Sequence, residues 1–274
     1  MTGAERIGIG KYECWILADG ELTYPGSLLL PPEGQPPGEM PAPYTAMLVD
    51  TGSTRILVDT GGGAMGPHTG KLLESLASAG FSPDDIHTVI LSHGHPDHIG
   101  GVGRFPNAAV VMLRKEFEFW ADAETRAKLA ACQMYGLGPM EQMMAASVRD
   151  DLVPARDRLH LLDHPAEIAA GVLVLPAPGH TPGHAAVLIS SGRQQLLYVG
   201  DAIIHRAQFE HPDWVCAFDL AREETIGTRK KLLDRAASDR CLLAATHLPG
   251  GAGFVRIQQG RYLWEAAVGC AMTS

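Results

Sequence analysis

Leu91-Ser92-His93-Gly94-His95-Pro96-Asp97-His98-Ile99-Gly100-Gly101 decides how this chain is read. Four potential metal ligands fall within six residues, directly after the apolar run Thr88–Leu91, which reads as a short buried strand. Imidazole suits zinc, and a carboxylate completes such a site. In extended backbone, residues i and i+2 point to the same side, so His93 and His95 can chelate one ion. Pro96 ends the extension, and a helix starting near Asp97 turns Asp97 and His98 toward a neighbouring position. That arrangement favours two metals over one. The plain alternative is a solvated histidine-rich loop, but three further ligand-type features follow. His180 lies in Pro178-Gly179-His180-Thr181-Pro182-Gly183-His184, between two strands. Asp201 closes the strand that ends at Val199, and His247 closes the strand Leu242 to Ala245. Each stands at the end of an apolar strand, where a rigid element holds a side chain in position.

This ordered set, HxHxDH and then a distant His, an Asp and a last His, resembles the metallo-β-lactamase superfamily from about Asp59 to His247. The resemblance implies an α/β fold, the four-layer αββα sandwich. It implies that His93, His95 and His180 hold one metal, that Asp97, His98 and His247 hold a second, and that Asp201 bridges them. Asp59 matches the family's bracing aspartate, and His184 matches a supporting rather than a ligating position. The implied cofactor is two Zn2+, with Fe, Mn or Co as other metals for such a set. The implied reaction is attack by a hydroxide shared between the metals, with Asp97 and Asp201 as the catalytic carboxylates.

Fold alone does not choose among the superfamily's reactions. Only 27 residues follow His247, too few for the helical domain of glyoxalase II-type thioesterases. Asp201 and His247 are 46 positions apart, without the large insertion of nucleic-acid-processing members. Flavodiiron proteins replace a motif histidine with Glu, and secreted β-lactamases lack the bridging Asp. What remains resembles the YtnP-type lactonase and methyl parathion hydrolase branch. The segments that carry this are Glu116-Phe117-Glu118-Phe119-Trp120, Gly200 to His205, His211-Pro212-Asp213-Trp214, Thr228-Arg229 and His247-Leu248-Pro249-Gly250-Gly251. The expected activity is hydrolysis of a lactone or ester, an acyl homoserine lactone being one candidate. The alternatives are a phosphotriester hydrolase and an iron-dependent persulfide dioxygenase. One departure stands out: AiiA-type lactonases carry a tyrosine three residues after the bridging Asp, and here that position is Ile204. Leu29, Phe119, Trp120 and His205 are the candidate substrate contacts.

The rest of the chain agrees with a soluble globular enzyme. Of 274 residues, 46% are hydrophobic and 19% charged, and the formal net charge is −9. That charge argues against nucleic acid and anionic membrane as partners. No signal peptide and no membrane-spanning run of about 18 apolar residues is visible, so a cytoplasmic location is expected. The five cysteines, Cys14, Cys132, Cys216, Cys241 and Cys270, have no CxxC spacing and read as reduced thiols; neither Cys216 nor Cys241 has a histidine partner that would mark a nucleophile. His68, His87, His160 and His164 read as surface or loop residues. The paired Asp-Thr-Gly triplets at Asp50 and Asp59 lie on one hairpin, which rejects an aspartic protease.

Strands are expected at Tyr12–Leu17, Tyr44–Val49, Ile56–Val58, Ala108–Leu113, Val172–Leu175, Ala185–Ile189 and Gln195–Val199. Helices are expected at Lys71–Ala79, Lys115–Trp120, Ala123–Tyr135 and Leu220–Ala237, the last carrying Arg229, Lys230, Lys231 and Arg235 toward its C-terminal end. The chain reads as a single domain over 1–274 with a proline-rich flap at about 24–43, a small-molecule substrate and, as is common in this branch, a homodimer.

Overall fold

The computed structural model describes residues 3–267. The first half of the chain supplies β1 (Ala4–Ile9), β2 (Tyr12–Pro25), the two-residue β3 (Leu29–Leu30), β4 (Glu39–Asp50), β5 (Arg55–Val58), β6 (Thr88–Ile90), β7 (Ala109–Leu113) and β8 (Leu159–Leu162). The second half supplies β9 (Ala166–Ala169), β10 (Val172–Pro176), β11 (Ala185–Ser191), β12 (Gln194–Tyr198), the two-residue β13 (Val215–Cys216), β14 (Leu242–Ala244), β15 (Ala252–Gln258) and β16 (Arg261–Ala266). The helices are α1 (Leu72–Ser78), α2 (Pro96–Ile99), α3 (Arg114–Ala121), α4 (Ala123–Ala130), α5 (Pro139–Ser147), α6 (Ala207–Glu210) and α7 (Arg222–Asp239).

Two seven-stranded sheets form, in the orders β1-β2-β4-β5-β6-β7-β8 and β16-β15-β14-β12-β11-β10-β9. Side-chain alternation explains why they stack. In β4, Met47 and Val49 face the second sheet, where Val187, Leu196 and Leu242 meet them. Ala46 and Leu48 face the other way, onto Leu72 and Leu76 of α1 and the cluster holding Phe117 and Trp120 of α3. Behind the second sheet, Leu232, Leu233 and Ala236 of α7 cover Leu188, Leu197 and Leu243. The layers therefore read helix, sheet, sheet, helix.

Parallel pairing places the site. β5 pairs with β6, and β12 with β14, so their C-terminal ends lie side by side. The loops that leave those ends carry Asp59, His93 to His98, Asp201 and His247.

Three expected elements differ in the structure, and α5 and several edge strands have no counterpart among the expected ones. β2 and β4 pair as far out as Pro25 opposite Glu39, so the ends of the expected flap are strand and only 26–38 leaves the ladder. Pro41 and Pro43 are tolerated because β4 there extends past β5, whose pairing with it begins at Met47; that stretch has one hydrogen-bonded neighbour strand. The helix expected over 123–135 stops at Ala130, because Cys132, Gly136 and Gly138 adopt φ of 57°, 71° and 59° before Pro139 starts α5. Finally, α7 runs to Asp239, so Arg229 is not at its end but in its middle and fully buried.

Of the cysteines, Cys14, Cys132, Cys216 and Cys241 are unpaired, and Cys270 lies outside the described residues. Among the described residues, no helix is long and apolar enough to cross a membrane.

Candidate metal centre

The backbone turns sharply as β5 ends. Asp59 adopts φ of 65°, a conformation uncommon outside glycine, and this aims its carboxylate under the HxHxDH loop. Its Oδ1 accepts the Ser92 N–H at 2.7 Å. Its Oδ2 accepts from the Ser92 hydroxyl at 2.8 Å, His98 Nδ1 at 2.8 Å and the Tyr198 hydroxyl at 3.2 Å. His95 then caps α2, Pro96 occupies its first turn, and Asp97 and His98 swing inward on that turn.

Two groups of ligand atoms result. His93, His95, His180 and Asp201 form one, and Asp97, His98, Asp201 and His247 the other; within each, the candidate atoms lie within 4.8 Å of one another. In the first, His95 Nδ1 is 2.9 Å from His93 Nε2 and 3.1 Å from His180 Nε2. In the second, His98 Nε2 is 3.3 Å from Asp97 Oδ2 and 3.4 Å from Asp201 Oδ1, and His247 Nε2 is 3.1 Å from Asp201 Oδ2. Asp201 is the member common to both.

Outer hydrogen bonds orient the rings. His98 Nδ1–H donates to Asp59, His180 Nδ1–H to Asp219 Oδ1 at 2.8 Å, and His247 Nδ1–H to the Pro43 carbonyl at 3.0 Å. Each bond turns Nε2 inward, the arrangement that orients an imidazole ligand and strengthens it once Nε2 carries no proton. His95 is reversed: Nδ1 faces inward and Nε2 meets the Tyr135 hydroxyl at 3.0 Å. His184 has no free nitrogen. Its Nδ1–H donates to the Ala177 carbonyl and its Nε2 accepts the Asp201 N–H, both at 3.1 Å, so it steadies the backbone under Asp201. Glycine is required at position 200, where φ is 51° and a Cβ would stand 2.8 Å from His184 Nε2.

The donor set fits divalent cations. His98 Nε2 and Asp201 Oδ1 are buried without a hydrogen-bond partner, a costly state that an ion between the groups would relieve. Charge also fits. Burial, then the neighbouring His98, holds His93 well below the usual histidine range, and burial with His180 does the same for His95. Neutral imidazoles are what a metal binds. Against the cost of burial, Asp97, Asp201 and Asp59 hold His98 well above that range, and Asp201 lifts His247 to about 10. Those two histidines in turn hold Asp97 and Asp201 below the usual carboxylate range, against their own burial.

Glu116 ties the ligand loops together. Oε1 accepts the Gly94 N–H at 2.9 Å and Trp120 Nε1–H at 2.6 Å, and Oε2 accepts the Gly183 N–H at 2.8 Å. Gly94 lies between His93 and His95, and Gly183 precedes His184. Asp219, the partner of His180, also accepts the Cys216 N–H at 2.8 Å and lies 3.7 Å from the buried guanidinium of Arg229. Sequence reading missed Asp219, Tyr135 and the bracing role of Glu116. Each sits in a loop or on a helix where no motif marks it.

A cavity opens beside the second group of ligands. Asp97, Asp201 and His247 form its floor, and Ile204 and Phe218 are on its walls. Five of the chain's ten methionines line it: Met40, Met65, Met140, Met143 and Met144. The last three stand at i, i+3 and i+4 on α5 and so share one helix face. The four expected substrate contacts are not on these walls. Leu29 is fully buried against Met40, Ile204 and Cys216, and Trp120 is fully buried with its indole bonded to Glu116. Phe119, on α3, packs half-buried against the core, and the His205 ring accepts the Ala207 N–H. A period of apolar residues cannot distinguish a packed side chain from a lining one.

A family model described as the metallo-beta-lactamase superfamily matches residues 41–269. An N-acyl homoserine lactonase of a Bacillus species is 26% identical over 178 residues, which is 65% of this chain and 62% of that protein. The chain thus aligns with less than two thirds of that relative's length. An N-acyl homoserine lactonase of Bacillus cereus is 24% identical over 226 residues, 75% of this chain and 81% of that protein. Among solved structures, AidC, a dizinc quorum-quenching lactonase in complex with the product N-hexanoyl-L-homoserine, superposes with a TM-score of 0.86. It is 31% identical, and the match covers 96% of this chain and 97% of that one.

Proposed function

Because this chain belongs to the metallo-beta-lactamase superfamily, we propose that it is a dinuclear metal-dependent hydrolase that opens lactone rings, with N-acyl homoserine lactones as the substrate class. The observation that carries this is the position of Asp201, common to two convergent groups of candidate ligands, with its Oδ1 and His98 Nε2 buried and unpaired, at the floor of a largely apolar cavity. We assign His93, His95 and His180 to one metal, Asp97, His98 and His247 to the other, and Asp201 to both. Zinc is the metal of choice, as in the dizinc lactonase that superposes on this chain.

When bound, zinc ions supply Lewis acidity and a source of nucleophile at neutral pH. The protein's own part is orientation and exclusion of water. Asp59, Asp219 and the Pro43 carbonyl hold the ligand rings, and His184 holds the backbone of Asp201. Asp97, which lines the cavity, orients the attacking water. The methionine wall takes the acyl chain, because unbranched thioethers adapt to a flexible apolar ligand.

Nothing in the cavity favours a phosphotriester over a lactone, and a single-iron persulfide site would leave one of the two ligand groups without a purpose. A cytoplasmic location accords with the buried, unpaired thiols of Cys14, Cys216 and Cys241. A homodimer is part of the same proposal, to be read by light scattering.

The test is proton release from a long-chain acyl homoserine lactone by zinc-loaded protein of measured metal content. The expected result is two zinc ions per chain and kcat/KM at or above about 10⁴ M⁻¹s⁻¹, with turnover lost in Asp201→Asn. Fully metallated protein that opens no lactone overturns the reading.

A further inference from the structure

The cavity is short of hydrogen-bond donors. Set aside the candidate metal ligands, and among the described residues one polar side chain lines it: Tyr24. All its other lining side chains are methionine, alanine, isoleucine, proline or phenylalanine. Ile204, on the turn that follows Asp201, adds a hydrocarbon surface and no donor. A lactone bound there presents a ring carbonyl whose oxygen gains negative charge as the ring opens. Charge developing in an apolar pocket needs a preorganised donor.

Tyr24 is held for that task from behind. It stands at the outer end of β2, opposite Met40 on β4, in the extended hairpin whose Pro43 carbonyl meets His247. Its hydroxyl is hydrogen-bonded to the hydroxyl of Tyr44, also on β4. Tyr44 is buried, with its ring 5.2 Å from that of His247. Among the described residues, the Tyr24 hydroxyl is the hydrogen-bond partner recorded for the Tyr44 hydroxyl. A buried O–H that fails to donate is costly, so the Tyr44 proton points at the Tyr24 oxygen. That leaves the Tyr24 proton free to donate elsewhere, and Tyr24 lines the cavity shared with Asp97, Asp201 and His247.

We propose that Tyr24 is a catalytic residue, donating a hydrogen bond from its phenol to the lactone carbonyl oxygen, and that Tyr44 is the positioning residue that orients it. This rests on the lactonase reading. The phenol keeps its proton throughout. One water is consumed, the ring C–O bond breaks, and the products are a carboxylate, an alcohol hydroxyl and one released proton.

The experiment compares wild type, Tyr24→Phe and Tyr44→Phe, each zinc-loaded, on one acyl homoserine lactone. Metal content and thermal midpoint are measured for all three. Binding of the ring-opened acyl homoserine is followed by calorimetry. In Tyr24→Phe, kcat falls about 10- to 100-fold while KM changes less than about threefold, since the donor acts on charge that develops in the transition state. Product affinity falls about tenfold, as for a lost hydrogen bond to a charged group. Tyr44→Phe lowers kcat less, with KM again nearly unchanged, because the donor remains but is no longer oriented. A Tyr24→Phe protein with both metals and wild-type kcat overturns the proposal and leaves the lactonase reading intact. So does a variant in which KM alone rises. Wild type that opens no lactone overturns both.

Discussion

Asp219 Oδ1 accepts the Nδ1–H of His180 at 2.8 Å, and this one contact couples the first ligand group to the start of α7. The aspartate lies on the irregular stretch after β13. It also accepts the Cys216 N–H and faces Arg229, whose guanidinium donates to the carbonyls of Ala202, Pro212 and Trp214. Ala202 follows Asp201 directly. One buried pair thus braces two candidate ligands, His180 and Asp201.

Asp219→Asn tests that link. The amide keeps the shape but loses the charge that strengthens His180 as a ligand and balances Arg229. Zinc affinity is expected to fall about 10- to 100-fold. Stability of the metal-free protein should fall by about 3 kcal/mol, since a buried cation is left without its counter-charge. Competition with a chelator of known affinity reads the first effect, and urea unfolding the second. Unchanged zinc affinity would remove Asp219 from the account of the site.

Metal removal should make stability depend on pH in a definite direction. In the metal-free protein His98 and His247 lie above the ordinary histidine value of 6.5, His247 at about 10. A raised folded-state value means the stabilisation is complete below the unfolded value and is lost as pH rises through the folded one. The thermal midpoint of metal-free protein is therefore expected to fall between about pH 7 and pH 10, and the zinc-loaded midpoint should not follow it. Zinc binding at pH 7 should release about two protons per chain, one from each of these histidines. Calorimetry in buffers of different ionisation enthalpy counts them. Parallel pH curves with and without zinc would contradict this charge assignment.

Glu116 gives a third prediction. Its two oxygens accept three hydrogen bonds from Gly94, Trp120 and Gly183, and so fasten the His93–His95 loop to the His180–His184 loop. Glu116→Ala leaves three buried donors unpaired, at a cost of about 3–5 kcal/mol. Glu116→Gln should cost nearly as much, because whichever oxygen becomes an amide faces an N–H with another N–H. The urea midpoint measures both, and zinc stoichiometry shows whether the loops still close on the metal. A glutamine variant as stable as wild type would mean that the carboxylate does not bridge the loops.

Much of the site was legible because its chemistry is local. His93, His95, Asp97 and His98 fall on one strand end and one helical turn, so backbone geometry alone places them together. Asp59, His180, Asp201 and His247 each end or interrupt an apolar run, which marks them singly. Their convergence follows from pairing β5 with β6 and β12 with β14, as the resemblance to the family implied. The substrate wall was not legible. Leu29 and Trp120 are apolar residues near the site in sequence, yet they pack inward; Met140, Met143 and Met144 sit on α5, a helix the sequence reading passed over.

The sequence by itself determined the candidate ligand types, their order, the alternating faces that build two sheets and the net charge. These depend on residue identity and on spacings of a few positions, which backbone periodicity converts directly into direction. Only the tertiary structure decided the partners of the ligands and the lining of the cavity. Asp219 reaches His180 across 39 positions, Pro43 reaches His247 across 204, and Tyr24 meets Tyr44 because β2 and β4 run on past β5. Such contacts arise where separate strands end together, and no local pattern in the chain records which ends will meet.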